Sequence, residues 1–320
     1  MVFNRTFNQT YKPAASRGIR GRKSIAAVAL SLTLAVVVSG CSSSASTGAA
    51  AAGTSAASTV SAACAAVQKQ YPDLAKKTVK VGIAPTIPGY ETIDPNNPEK
   101  IVGFDVDLLS AVSACAGYKT TFAKADFQTL VPSLQAGRID MVISNLIASD
   151  ARAKQVNFVI YQKDEEALIV AKGNPKNITE VSDLCGKSLA VFPGTVQAGA
   201  AQTQSDACKA AGKPAIDINT YADFNGCLQG VLNGRSDSFI NPTSVVAQTV
   251  AKYPTKLSGT APIAEFRSLI GMAFNKSDTE LRDANLAALK VVQTDGTEKA
   301  LFTTWKQDPT DQADASLLPQ

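Results

Sequence analysis

The residues with the clearest chemical potential lie in VISNLIASDARAKQ, Val142 to Gln155, where an apolar run ends in small residues and Arg152 follows. A guanidinium is a planar fork that gives a carboxylate two parallel, charge-assisted hydrogen bonds, strongest where water is excluded. The core NLIASD holds no aromatic and one charge, so it does not read as surface decoration. Asn145 adds an amide donor and acceptor to the same stretch. Arg152 has two readings here: an anchor for an anionic group, or a side chain fixed to a helix carboxylate or simply solvated.

Much other chemistry is excluded. The chain has no histidine, which removes serine–histidine and cysteine–histidine catalysis, histidine-rich zinc sites and imidazole pH switches. The net charge of +4 comes from 31 basic and 27 acidic residues. Six of the basic ones (Arg5, Lys12, Arg17, Arg20, Arg22, Lys23) precede residue 41 with no acid among them, which leaves 25 against 27 in the rest. The excess therefore does not argue for a nucleic-acid partner. GIRGRKS (Gly18 to Ser24) lacks the glycine before the lysine of a phosphate-binding loop and lies in the same leader.

That basic segment is followed by IAAVALSLTLAVVV, Ile25 to Val38, and by VSGC ending at Cys41. The apolar run is short for a membrane span, so residues 1–40 are expected to be a signal peptide. VSGC resembles a bacterial lipobox, which implies a lipid-modified Cys41 as the first mature residue and a membrane-surface anchor. Residues 41–70 are expected to be a tether, because Ser42 to Ala66 is almost wholly Ser, Ala, Thr and Gly. Its last residues, around Cys64, are the exception and fit the start of a short helix.

Export places the cysteines where disulfides persist. Cys185 and Cys208 bracket one compact αβ-like segment and are the preferred pair; Cys64 with Cys115 is a weaker one. Cys227, next to Leu228 and near Val231, reads as a small buried thiol. Spacing alone does not assign the connectivity.

The elements that must position Arg152 alternate. TVKVGIA reads as a strand and PTIPGYETIDPNNPEK as a loop; GFDVDLLSAVSACAG reads as a helix with Asp105 at its N-cap and Asp107 in its first turn. KTTFAKA (strand), FQTLVPSLQAGR (helix) and IDMVISNL (strand) follow, then EALIVAK (strand), a helix start at Thr179 to Leu184, and KSLAVFPG (strand). DFNGCLQGVLNGR (helix), SDSFINP (strand) and SLIGMAFNK (strand) lead to DTELRDANLAALKVVQTDG, a long helix with Leu281, Leu286, Leu289 and Val292 near one face. Such alternation argues for α/β architecture with largely parallel sheets, here in two groups.

GFDVDLLSAV resembles the signature of the family 3 extracellular solute-binding proteins, which serve ABC importers of amino acids and related small solutes. FQTLVPSLQAGRIDMVIS, SDARAKQVNFVIYQKDEEALIVAKGNP, DLCGKSLAVFPGTVQ, LQGVLNGRSDSF and GMAFNKSDTELRDANLAALKVVQTDG follow in that family's order, over roughly residues 75–305. DLCGK with a later cysteine before AAGK is similar to actinobacterial lipoprotein members, which supports Cys185–Cys208. The resemblance implies a type II, Venus-flytrap fold: two α/β lobes joined by two crossover strands near Asp164–Leu168 and Arg267–Gly271. Lobe 1 would hold 71–164 and 271–310, and lobe 2 would hold 165–270.

For the cleft, the resemblance implies that Arg152 clamps a ligand carboxylate, with Ser144 and Asn145 beside it and Phe127 as a wall. Thr195 and Val196 match a loop that offers a backbone N–H and a hydroxyl to the same carboxylate. The chain departs from the family's pattern at three places. Ile87 stands where an aromatic usually covers the ligand, with Tyr90 as a substitute; Ile147 stands where a hydroxyl usually helps the arginine. Pro242, or Asn241 in a shifted register, replaces the aspartate that usually meets the ligand's ammonium. An unpaired buried ammonium is costly, so the expected solute bears a carboxylate, with its amino group absent, substituted or recognised differently. Glu91 and Asp126 are candidate replacement acids.

The function implied is a lipid-anchored, monomeric binding protein on the outer face of the membrane, handing an amino acid or derivative to an ABC permease. No metal, cofactor or nucleic acid is expected. A sensor lobe, or an enzyme such as the cyclohexadienyl dehydratases built on this fold, are the alternatives.

Overall fold

The computed structural model of the protein describes residues 61–318. The expected signal peptide, Cys41 and most of the expected tether lie outside the described residues.

The first half of the chain supplies one end of the main sheet, a small three-stranded sheet and the helices that cover them. Its elements are α1 (Ala62–Gln70), β1 (Thr78–Ile83), β2 (Thr86–Ile87), β3 (Glu91–Asp94), β4 (Asn97–Val102) and α2 (Phe104–Ala116). Then come β5 (Lys119–Lys124), α3 (Leu130–Gln135), β6 (Met141–Val142), α4 (Asp150–Ala153) and the long β7 (Asn157–Ala171). The second half holds β8 (Ser188–Val191), α5 (Val196–Ala210), β9 (Asp217–Thr220), α6 (Phe224–Leu232), β10 (Ser238–Pro242), α7 (Thr243–Lys252) and β11 (Leu257–Gly259). It closes with β12 (Ile263–Phe274), α8 (Thr279–Thr294), α9 (Thr297–Thr304) and β13 (Gln312–Leu317).

Apolar alternation decides these strands. In β1 the residues Val79 and Val81 point inward while Thr78 and Lys80 are exposed. β1 lies parallel between β5 and β6, the arrangement a right-handed βαβ crossing through α2 produces. The full order is β5-β1-β6-β12-β7-β10-β8-β9, so β12 and β7 run through both lobes as the two crossover strands. They pair antiparallel from Phe274↔Asn157 to Ile263↔Glu166, with register breaks between Ile263 and Arg267 and between Ile270 and Gly271.

Five local expectations change. Gly103, not Asp105, is the N-cap of α2: a Cβ there would lie 1.9 Å from the Tyr90 carbonyl oxygen, so only glycine admits the close approach. Asp105 is then freed for other work. The stretch expected as a loop after β1 contains the small antiparallel sheet β2-β3-β4. β6 covers two residues, not the whole of Ile139–Leu146, because Ser144 and Asn145 are drawn off by side chains behind them. The helix start expected at Thr179 to Leu184 is a single 3-10 turn, Val181–Leu184, with a Glu180/Asp183 capping box. On α8, Ala284, Asn285 and Ala288 are buried with Leu281, Leu289 and Val292, whereas Leu286 packs only in part.

Both bonds between Cys64 and Cys115 and between Cys185 and Cys208 are closed, and Cys227 is a buried free thiol. The first pins α1, inside the stretch expected as tether, to the end of α2. Gln68 adds hydrogen bonds to the Ala114 and Cys115 carbonyls, and Val67 joins the core. A cross-link closing a loop of 51 residues stabilises by about 3–5 kcal/mol in the chain-entropy picture. At the other end, β13 extends the body past residue 310 by pairing with β7, clasped by Gln293, whose amide bonds Ala313 and Ala315.

Candidate functional site

Arg152 sits in the single turn α4, capped by Ser149, and is 8% exposed. Its Nη1 donates to the Ile147 carbonyl at 2.6 Å and its Nη2 to the Gly194 carbonyl at 2.6 Å, while the guanidinium lies 5.6 Å over the Phe127 ring. Burial lowers its pKa to about 10, so it is a cation at neutral pH. Among the described residues no carboxylate pairs with it. A desolvated cation held only by carbonyls and a ring keeps its attraction for an anion. Gly194 comes from the opposite lobe, and a Cβ on it would lie 2.6 Å from Gln128 Cα, so glycine lets that loop close onto the first lobe.

The strand end before Arg152 is held from behind by acids. Asn145 N–H donates to Asp105 Oδ2 at 2.6 Å, Tyr161 donates its hydroxyl to Asp105 Oδ1 at 2.7 Å, and Ser144 Oγ donates to Glu91 Oε1 at 2.9 Å. Ser144 Oγ also accepts from Ala84 N–H at 3.0 Å. Burial, reinforced by the charge of Asp105, holds Glu91 well above the usual carboxylate range. Asp105 rises to about 6, pushed up by burial and held down by hydrogen bonds from Asn145 and Tyr161, so it carries the charge at neutral pH. This clamp sustains the left-handed backbone of Asn145, φ 41°, which is uncommon outside glycine.

The facing wall comes from β8, the start of α5 and the end of β10. Phe192 meets Phe127 edge-to-face at 5.6 Å and Phe239 at 6.3 Å, an aromatic strip across the cleft. The pocket between the walls is lined by Ile87, Phe127, Asn145, Ile147, Arg152, Thr195 and Asn241 of the expected residues, with Pro242 beside them. Its free volume is about 30 Å³, room for a water or two. Two amide atoms of this lining are buried without a hydrogen-bond partner among the described residues, Asn145 Oδ1 and Asn241 Nδ2, one acceptor and one donor.

Other expected residues are not brought to this pocket. Tyr90 is fully buried against Phe104, with its hydroxyl 3.1 Å from Ser244 Oγ, so it covers nothing. Ser144 and Glu91 are fully buried behind the wall and outside the lining, Ser144 Oγ bonded to Glu91 Oε1 while Glu91 Oε2 has no partner among the described residues, and Asp126 is on the exposed surface. Val196 is half-buried beside the lining. The Thr195 hydroxyl is occupied, accepting from Ala198 N–H at 3.2 Å as the cap of α5 and donating to the Phe192 carbonyl at 2.9 Å. Ile147 contributes its carbonyl in place of the hydroxyl usual there. Sequence reasoning missed Gln197, Phe192 and Phe239 in the lining. Gln197 closes the PGTVQ motif two positions after Thr195, and that spacing was the available signal.

Two α/β lobes, paired crossover strands and a buried arginine in the cleft define a type II periplasmic-binding-protein fold. Residues 79–308 match the bacterial extracellular solute-binding proteins, family 3, and the chain belongs to that family. It is 29% identical over 236 residues to a putative ABC transporter arginine-binding protein 2 of Escherichia coli K12, covering 73% of this chain and 92% of the relative. Among solved structures it is similar to an ancestral arginine-binding protein bound to arginine, with a TM-score of 0.64 and 30% identity over 71% of this chain and 97% of that one. It is also similar to AncCDT-1, an ancestral amino acid-binding protein described as a precursor of cyclohexadienyl dehydratase (TM-score 0.63, 26% identity, 76% of this chain and 98% of that one). By family the chain is a solute-binding protein, and the relatives it matches are named as binding proteins.

Proposed function

We propose that this chain is an exported, lipid-anchored binding protein that captures an amino acid and presents it to an ABC permease. The observation that carries the reading is Arg152, a buried cation with no acid partner among the described residues, aimed into a cleft between two lobes. An α-carboxylate fits its two nitrogens, with Asn241 Nδ2 as a further donor. Phe127, Ile87 and Ile147 surround the solute's carbon frame. Relatives whose names state arginine binding favour an amino acid over a simple carboxylate. Cys41 is the proposed lipid attachment, from the apolar run and VSGC before it. The proposed lobes are 71–164 with 271–310, and 165–270, with α1 and β13 added to the first. Hinge closure about the crossover strands is the signal a permease would read.

A thermal-shift screen of the twenty L-amino acids tests this. A true ligand at 100 times its Kd should stabilise the protein by about 2.7 kcal/mol through mass action. Arg152→Ala should weaken the best hit about 100-fold or more, as removal of one partner from a buried charge pair does. An undiminished shift in that variant would sink the carboxylate clamp.

A further inference from the structure

The pocket lacks the aspartate that usually meets a ligand ammonium, yet a second buried acid stands just behind its other wall. Glu166, on β7 in register with Pro242 of β10 and Ile263 of β12, is 1% exposed. Gln197 Nε2 donates to both of its oxygens at 3.2 Å, and Ser268 Oγ donates to Oε1 at 3.1 Å. No lysine or arginine among the described residues pairs with it.

Gln197 lines the pocket, and its amide cannot face both ways. With the NH₂ turned to the carboxylate, the Oε1 oxygen is left without a protein partner among the described residues. Asn145 Oδ1, buried and unpartnered, is a second acceptor in the same pocket. Two carbonyl oxygens beside a guanidinium complement a zwitterion. Its carboxylate and ammonium share one carbon, so both must be read within one small pocket, and an ammonium brings three donors.

We propose that Glu166, acting through Gln197, makes this pocket select a solute with a free α-ammonium group; the inference rests on the amino-acid reading given above. Glu166 is a positioning residue that does not touch the solute. Its charge fixes the Gln197 amide as an acceptor and supplies the negative field that a buried ammonium needs. Burial raises Glu166 to about 7, and no cation relieves it, as fits a group whose counter-charge is the solute. Neither Glu91 nor Asp126, the acids expected to take this role, is placed to do so.

The test uses purified full-length protein and calorimetric titration with the tightest binder among the twenty L-amino acids and its des-amino analogue. In wild type the amino acid should bind far more tightly than the analogue. Glu166→Gln, a near-isosteric change, should shrink that affinity ratio about tenfold, the worth of one pKa unit of interaction, with the larger loss falling on the amino acid. Gln197→Leu should shrink it likewise, and Glu166→Gln in that background should add less than it does in wild type, only the through-space part of its field being left. A ratio unchanged in both single variants overturns the inference, because a purely structural role would lower both affinities together. Should Glu166→Gln fail to fold, the ratio in Gln197→Leu decides alone. If wild type binds no amino acid at all, the amino-acid reading itself fails, an outcome distinct from an amino acid bound with an unaltered ratio.

Discussion

Two buried acid centres flank the pocket, and they are built differently. Asp105 and Glu91, behind the first lobe's wall, are ringed by fixed donors of that lobe: Asn145 N–H, Tyr161 O–H and Ser144 O–H. Glu166, behind the second lobe's wall, is met by two side chains that can turn elsewhere, half-buried Gln197 and half-buried Ser268. The first centre holds the frame of the binding loop; the second is held by a residue of the pocket itself. A buried carboxylate is therefore not one kind of feature, and what differs is whether its partners have anywhere else to go.

Truncating each acid should break that symmetry. Asp105→Ala leaves backbone and tyrosine donors buried without an acceptor, which costs roughly 1–3 kcal/mol for each such group. We expect a loss of about 3 kcal/mol or more in urea unfolding, with weaker solute binding as Asn145 loses its clamp. Equal stability in Asp105→Ala and wild type would show that the clamp carries no weight. Glu166→Ala is the contrasting case. Gln197 can turn its amide to the open cleft and Ser268 can bond water, so we expect stability within about 1 kcal/mol of wild type. A loss comparable to that of Asp105→Ala would erase the distinction.

The sequence carried the frame of the fold and part of the pocket. Alternation in TVKVGI and KTTFAK located two parallel strands, and the motifs around Arg152 placed the cleft. Where it failed, the deciding contact was distant along the chain. Gly103 takes the cap from Asp105 because the Tyr90 carbonyl presses on it, and no local propensity reports that. β6 ends early because Glu91 and Asp105 reach Ser144 and Asn145 from 53 and 40 residues away. Tyr90 stands near the cleft by position, yet it is fully buried with its hydroxyl committed to Ser244, whereas Thr195 lines the pocket with its hydroxyl engaged by the α5 backbone. Glu166 is one of three consecutive acids in KDEE, and only its register with Pro242 sets it behind the pocket.

The smallest effect separates the two centres by pH. Glu166 rises from 4.5 to about 7, through burial first and the charge of Asp164 last, with Gln197 and Ser268 opposing. A carboxyl whose folded pKa is raised binds its proton more tightly in the folded chain. Its stabilising contribution is thus full below about 4.5 and is lost as pH rises through 7. Asp105, raised to about 6, loses most of its own contribution below that pH. Glu298, raised to about 8 by burial, titrates in the upper range but is common to wild type and the Glu166 variant. Between pH 6 and 8, wild type without solute should therefore lose about 1 kcal/mol more stability than Glu166→Gln, read as the difference between two urea-unfolding series. Saturating amino acid should shrink that difference, because an ammonium near Gln197 stabilises the ionised acid and draws its folded pKa back toward 4.5. If solute leaves the difference unchanged, Glu166 does not sense the pocket, and the two acid centres are alike after all.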